Sequence, residues 1–181
     1  SMIRRCLASR PTTTEPLGWN ETTDGWILPP LSSASTTGAP VSSQRAATEL
    51  VGMGEPILGE FPNIKMNTVD HLDLVQFAEA AIAQTQATRI FTLHPGDLND
   101  DHRQVSKATQ AAARLAQRRD DVAPLKSLHF MEVLSSTDWS FRGSGIDGFT
   151  PDAFFEIGEE GVATKLQALA CYRDVMRDYP H

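Results

Sequence analysis

The chain has 181 residues, 40% of them hydrophobic and 22% charged, a composition that suits one globular domain with its own core. Its formal net charge of −7 argues against a non-specific grip on nucleic acid or anionic membrane, both of which rest on clustered Lys and Arg, and no apolar run approaches the ~20 residues of a membrane helix. Two cysteines, Cys6 and Cys171, are too few and too far apart for a disulfide framework or a metal knuckle, so a reducing cytoplasm is the expected setting.

Residues 1–43 are rich in Ser, Thr, Pro and Gly without sustained helix or strand periodicity, and are expected to be a low-complexity segment with no packed structure of its own. Residues 44–181 read as the folded domain. TELVGMG ends a short helix at its glycines, and EPILGEF is strand-like. Thr68 or Asp70 can cap a helix in which Leu72, Val75, Ala78 and Ile82 recur at helical spacing, ending near Gln86. The strand RIFTLH follows, then the loop HPGDLNDDH, then a helix that places His102, Val105, Ala108, Ala112 and Leu115 on one face. The basic residues from Arg114 to Arg119 complement the dipole at that helix's end. LHFMEVL and AFFEI read as further strands, and VATKLQALACYRDVM as a closing amphipathic helix through Val162, Leu166, Leu169 and Arg173. Alternating helices and strands predict an α/β fold: a mainly parallel sheet with helices on both faces and its site at the carboxyl ends of strands.

The loop at residues 94–102 lies at such an end and holds two of the chain's five histidines. Asp97, Asn99, Asp100 and Asp101 precede a helix, where short polar side chains cap free amides and the dipole favours negative charge. The histidines gain little from that position. A divalent metal offers them a partner, because neutral imidazole and carboxylate oxygens suit zinc and a strand running into a helix start gives ligands a rigid base. Elsewhere, Trp139 in SSTDW either packs or lines a pocket, His71 reads as solvated, and His129 as a partly buried strand residue with a backbone partner.

The string His94-Pro-Gly-Asp97-x-Asn99-x-Asp101-His102 resembles the PIG-L or LmbE-like metal-dependent N-deacetylases. So do QRAATELVGMGEPILGEFPNIKM, HLDLVQFAEAAI, RIFTLHPGDLNDDHRQV, MEVLSSTDW, FTPDAFFEIG and KLQALACYRDVMRDYPH, in that family's chain order. The resemblance implies a Rossmann-like fold and removal of the acetyl group from an N-acetylated amino sugar or glycoconjugate of the N-acetylglucosamine type, by a hydrolase that uses zinc to activate water. It implies that His102 is a metal ligand steadied by Asp101, with His94, Asp97 and Asn99 shaping the pocket or moving protons. Arg45 and His181 match positions near the substrate, and Trp139 is the aromatic that would line the same pocket. A homo-oligomer is compatible with the sequence.

One departure shapes these expectations. The family's opening strand, ending in Ala-His-Pro-Asp-Asp-Glu, brings two zinc ligands and the general base, and the chain has no such segment. The domain is therefore expected to be incomplete, lacking the family's first strand and the residues beyond Tyr-Pro-His, and to hold zinc weakly. Two readings follow: a deacetylase whose base belongs to a segment missing from this sequence, or a non-catalytic relative or fragment that binds a sugar or protein partner without turnover. A minimal site from His94, Asp97 and His102 is a third arrangement, although no base is obvious in it.

Overall fold

The computed structural model describes residues 41–134, 136–141 and 148–172 in full and residues 26–27 as backbone. The elements are β1 (Trp26–Ile27), α1 (Val41–Leu50), a short 3-10 helix (Met66–Thr68), α2 (His71–Thr85), β2 (Arg89–Leu93), α3 (Asp100–Ala116), β3 (Ser127–Met131) and α4 (Gly158–Ala170). The fold is mixed helix and strand around a small, wholly parallel sheet in the order β1-β2-β3. β3 pairs with β2 along its full length, from Arg89 opposite Ser127 to Leu93 opposite Met131, whereas β1 meets only Arg89 and Ile90. β1 thus falls inside the low-complexity stretch, and α1 begins ahead of residue 44.

Both helices that pack on the sheet start at a side-chain cap. Asp70 accepts the Leu72 amide at 2.9 Å, and Asn99 accepts the Asp101 amide at 3.0 Å. α2 ends at Gln86, held in the left-handed region with φ 53°. The Gln86 side chain offsets that conformation by bonding Ala83 O, Asp121 O and the Ala123 amide, which stitches the helix end to the segment before β3. The interior lies between α2, α3 and one face of the sheet. Leu74, Val75 and Ile82 of α2 meet Ala108, Ala112 and Ala116 of α3 over Ile90, with Leu128 packed alongside. Small alanines let the two helices approach closely, and strand alternation aims Ile90 at them.

The opposite face carries Phe91 and His129, whose rings stack at 4.8 Å, and Phe155 meets them edge-on. That contact corrects one expectation: AFFEI, residues 153–157, forms no strand but a loop that inserts Phe155 against the sheet and leaves Phe154 77% exposed. EPILGEF, residues 55–61, is likewise no strand. Its Ile57 and Phe61 pack on the core as loop residues, with Phe61 edge-on to Phe77 at 5.3 Å. In both stretches apolar side chains make their contacts without a backbone ladder, Ile57 and Phe61 partly buried on the core and Phe155, itself still exposed, against the sheet rings, which a short apolar run does not reveal.

α4 covers the first part of the expected helix, starting at Gly158 ahead of Val162 and ending at Ala170, but it buries none of its residues, and its main packing partner is α1. Val162, Leu166 and Leu169 remain exposed. Arg173 lies outside the described residues, and no helix among those described is long and apolar enough to cross a membrane.

Candidate functional site

Parallel pairing of β2 with β3 sets their carboxyl ends side by side, so the loop after β2 meets the turn after β3. The Leu98 amide bonds Ser136 O at 3.3 Å across that boundary. Within the first loop, His94 O accepts the Asp97 amide at 3.1 Å, and His94 Nδ1 accepts the Gly96 amide at 3.0 Å, closing a tight turn. Arg103 braces the loop from the first turns of α3. Its guanidinium donates to the carbonyls of Asp97 and Leu98 and to the Asp100 carboxylate, each at 2.7 Å.

This framework drives the Asp97 side chain into the interior, where it is fully buried. Oδ1 accepts the Asn99 amide at 2.8 Å. Oδ2 accepts hydroxyl protons from Ser136 at 2.9 Å and Thr137 at 2.8 Å, and stands 3.1 Å from Nδ1 of His102. Burial by itself would raise the Asp97 pKa. The hydrogen bonds from the Asn99 amide, His102, Thr137 and Ser136 together outweigh it and hold the carboxyl below the ordinary Asp value. His102 turns Nδ1 towards Asp97 and Ser136, so Nε2 is the ring nitrogen directed away from the carboxylate. Its side chain is 14% exposed.

The other expected residues take different places. Asp101 does not steady His102: its carboxylate accepts the amides of Ile64 and Met66, the latter at 3.0 Å. That tether holds Ile64 at φ 61°, an unfavourable backbone state for a β-branched residue. Asn99 serves as the cap of α3. His94 sets its ring nearly perpendicular to those of Phe130 and Phe149, at 6.2 and 5.3 Å. Arg45 lies on α1 and pairs with Glu55 at 2.7 Å, both largely exposed. Trp139 is 68% exposed, two residues beyond Thr137. His181 lies outside the described residues. Beside this turn, a hydrogen bond with Asp138 is the first cause, ahead of burial and charge repulsion, that pushes the Glu132 carboxyl up.

Three residues of this site were not singled out by the sequence: Ser136, Thr137 and Arg103. The hydroxyl-rich run after LHFMEVL was the one visible sign of the first two, and nothing in it named Asp97 as their partner.

An imidazole whose Nδ1–H is held by a carboxylate is the arrangement in which metal-ligating histidines are oriented, with Nε2 as donor. His102 therefore fits one position around a zinc ion. Among the described residues no group of three or more His, Cys, Asp or Glu side chains is placed to hold a metal, so the full donor set that a tetrahedral site needs is not assembled from them. A scan against protein-family models finds no matching family, and a search of curated proteins finds no matching relative.

Proposed function

We propose that the chain is a Rossmann-like relative of the PIG-L or LmbE-type N-deacetylases, a cytoplasmic protein in which His102 is a zinc donor and the substrate is an N-acetylated amino sugar or glycoconjugate. The observation that carries this reading is the contact of His102 Nδ1 with the fully buried Asp97 at the carboxyl end of a parallel strand. A carboxylate costs several kcal/mol to bury, and a merely capping aspartate has no need of that depth. Here the buried charge meets two hydroxyls, an amide and one imidazole, and the imidazole alone keeps a free nitrogen to offer.

Zinc, when bound, would polarise an amide carbonyl and activate water in such enzymes. In this chain Asp97 would orient the donor ring and Arg103 would brace the loop that carries it. The rings of Phe130 and Phe149 around His94 would form an apolar wall beside the site. The second reading is a non-catalytic relative that binds a sugar or protein without turnover, and what favours it for these 181 residues by themselves is that they contain no Ala-His-Pro-Asp-Asp-Glu segment to supply the base.

Zinc analysis after dialysis tests the metal assignment. The expected result is weak, substoichiometric zinc that disappears in His102→Ala. Tightly held stoichiometric zinc surviving His102→Ala would remove the assignment.

A further inference from the structure

We infer that Ser136 and Thr137 are positioning residues for His102: they clamp Oδ2 of Asp97 against Nδ1, so that the ring is held as the Nδ1–H tautomer and presents Nε2 as its lone-pair nitrogen. The direction of each bond leads to this conclusion. The Thr137 hydroxyl accepts the Val133 amide at 2.7 Å, so its own proton is committed to the other contact, Asp97 at 2.8 Å. The Thr137 amide bonds Val133 O at 2.8 Å, which fixes the residue's backbone in the same turn. Ser136 donates to the same carboxylate oxygen at 2.9 Å, and the amide of Leu98 holds its carbonyl.

With two hydroxyl protons and an amide proton converging on it, Asp97 is held as an acceptor in one orientation. The opposite tautomer would set a ring lone pair 3.1 Å from a buried carboxylate oxygen, two acceptors facing each other without a proton between them. His102 is therefore selected as Nδ1–H, the reverse of the form that free histidine favours in water. The clamp also explains why the β3 turn bears adjacent hydroxyl residues. Ser136 and Thr137 are both buried, and a hydroxyl goes to the interior at little cost only when its bonds are made. Their importance for function rests on the reading of His102 as a metal donor, whereas the tautomer and the clamp do not.

The experiment uses the metal-free full chain with 15N-labelled histidine, at a pH where ordinary imidazole is neutral, with the His102 signals assigned through His102→Gln. The wild type is expected to show a protonated Nδ1 and an unprotonated Nε2, with slow exchange of the Nδ1 proton. In Ser136→Ala/Thr137→Val that exchange is expected to accelerate about tenfold or more, as the carboxylate loses two charge-assisted bonds. Thr137→Ser, which keeps the hydroxyl, is expected to restore slow exchange. Amide spectra report whether each variant keeps the fold, and Thr137→Val alone, which preserves side-chain shape, serves if the double variant does not. An Nε2–H wild type, or unchanged exchange in a folded variant lacking the hydroxyls, would overturn the inference. Because no metal is present, neither outcome depends on whether His102 binds zinc. A correct tautomer together with no His102-dependent zinc binding would retire the metal reading while leaving the clamp standing.

Discussion

Asp97→Ala is the perturbation that reaches furthest into this structure. It deletes the acceptor for four donors, which differ in what they lose. The Asn99 amide sits at an exposed helix start and can turn to water, and the Nδ1 of His102 has the Ser136 hydroxyl within 3.3 Å as a substitute. The hydroxyls of buried Ser136 and Thr137 have no such recourse, and Thr137 is pinned by Val133. Each buried donor left unmade costs roughly 1–3 kcal/mol, and release of the desolvated carboxylate returns part of that sum. The net expectation is a loss of about 2–4 kcal/mol. For a domain of this size that lowers the melting temperature by roughly 4–16 °C, at about 2–4 °C per kcal/mol. Urea unfolding followed by circular dichroism measures it, with an unchanged slope showing that the unfolded state is the same. The surface variant Asp121→Ala should move the midpoint far less. A loss below about 0.5 kcal/mol, the scale of an ordinary surface change, would refute the reasoning that the Asp97 cluster is a buried, satisfied network.

Asp97 has a depressed pKa in the folded state, so its contribution to stability is fully present above the unfolded value of about 3.9 and is lost as pH falls through the lower folded value. Unfolding free energy measured against pH should therefore drop more steeply in acid for the wild type than for Asp97→Asn. Asp101→Ala releases the amides of Ile64 and Met66, and is expected to cost about 1–2 kcal/mol and to speed hydrogen exchange at those two amides. Leu166→Gln, on the open face of α4 and 62% exposed, should change stability by no more than about 0.5 kcal/mol; a larger loss in a urea titration would mean that this face is covered.

Much of the scaffold was legible because its signals are local. The caps Asp70 and Asn99 precede their helices by one residue, and RIFTL and LHFM carry the β-branched and aromatic residues of strands. The loops at 55–61 and 153–157 carry a strand-like signal because an apolar run of that length is compatible with a ladder or with loop side chains resting on the sheet or core, and only the presence of a neighbouring strand decides between them.

At the site, the resemblance placed Asp101 beside His102 because they adjoin in sequence. Helix geometry separates them: consecutive residues of an α-helix point about 100° apart, so when His102 faces the strand ends Asp101 faces the 62–66 segment. The true partner, Asp97, comes from the turn before the helix. Its hydroxyl donors come from another strand's loop, 39 and 40 residues away, and are reached only once β2 and β3 are known to be neighbours.

The central proposal is that His102 is a metal donor on a scaffold related to the N-deacetylases. Acetate release from N-acetylglucosamine derivatives with zinc added tests it most directly, measured for the chain, for a chimera placing the family's opening strand with Ala-His-Pro-Asp-Asp-Glu ahead of Gln44, and for that chimera carrying His102→Ala. A missing proton acceptor alone costs on the order of 10²–10⁴ in rate. The account predicts no turnover by the chain, turnover by the chimera, and its loss with His102→Ala. Turnover by the unmodified chain that His94→Ala or Asp97→Ala abolishes would contradict it, and would make the nine-residue loop a sufficient site by itself.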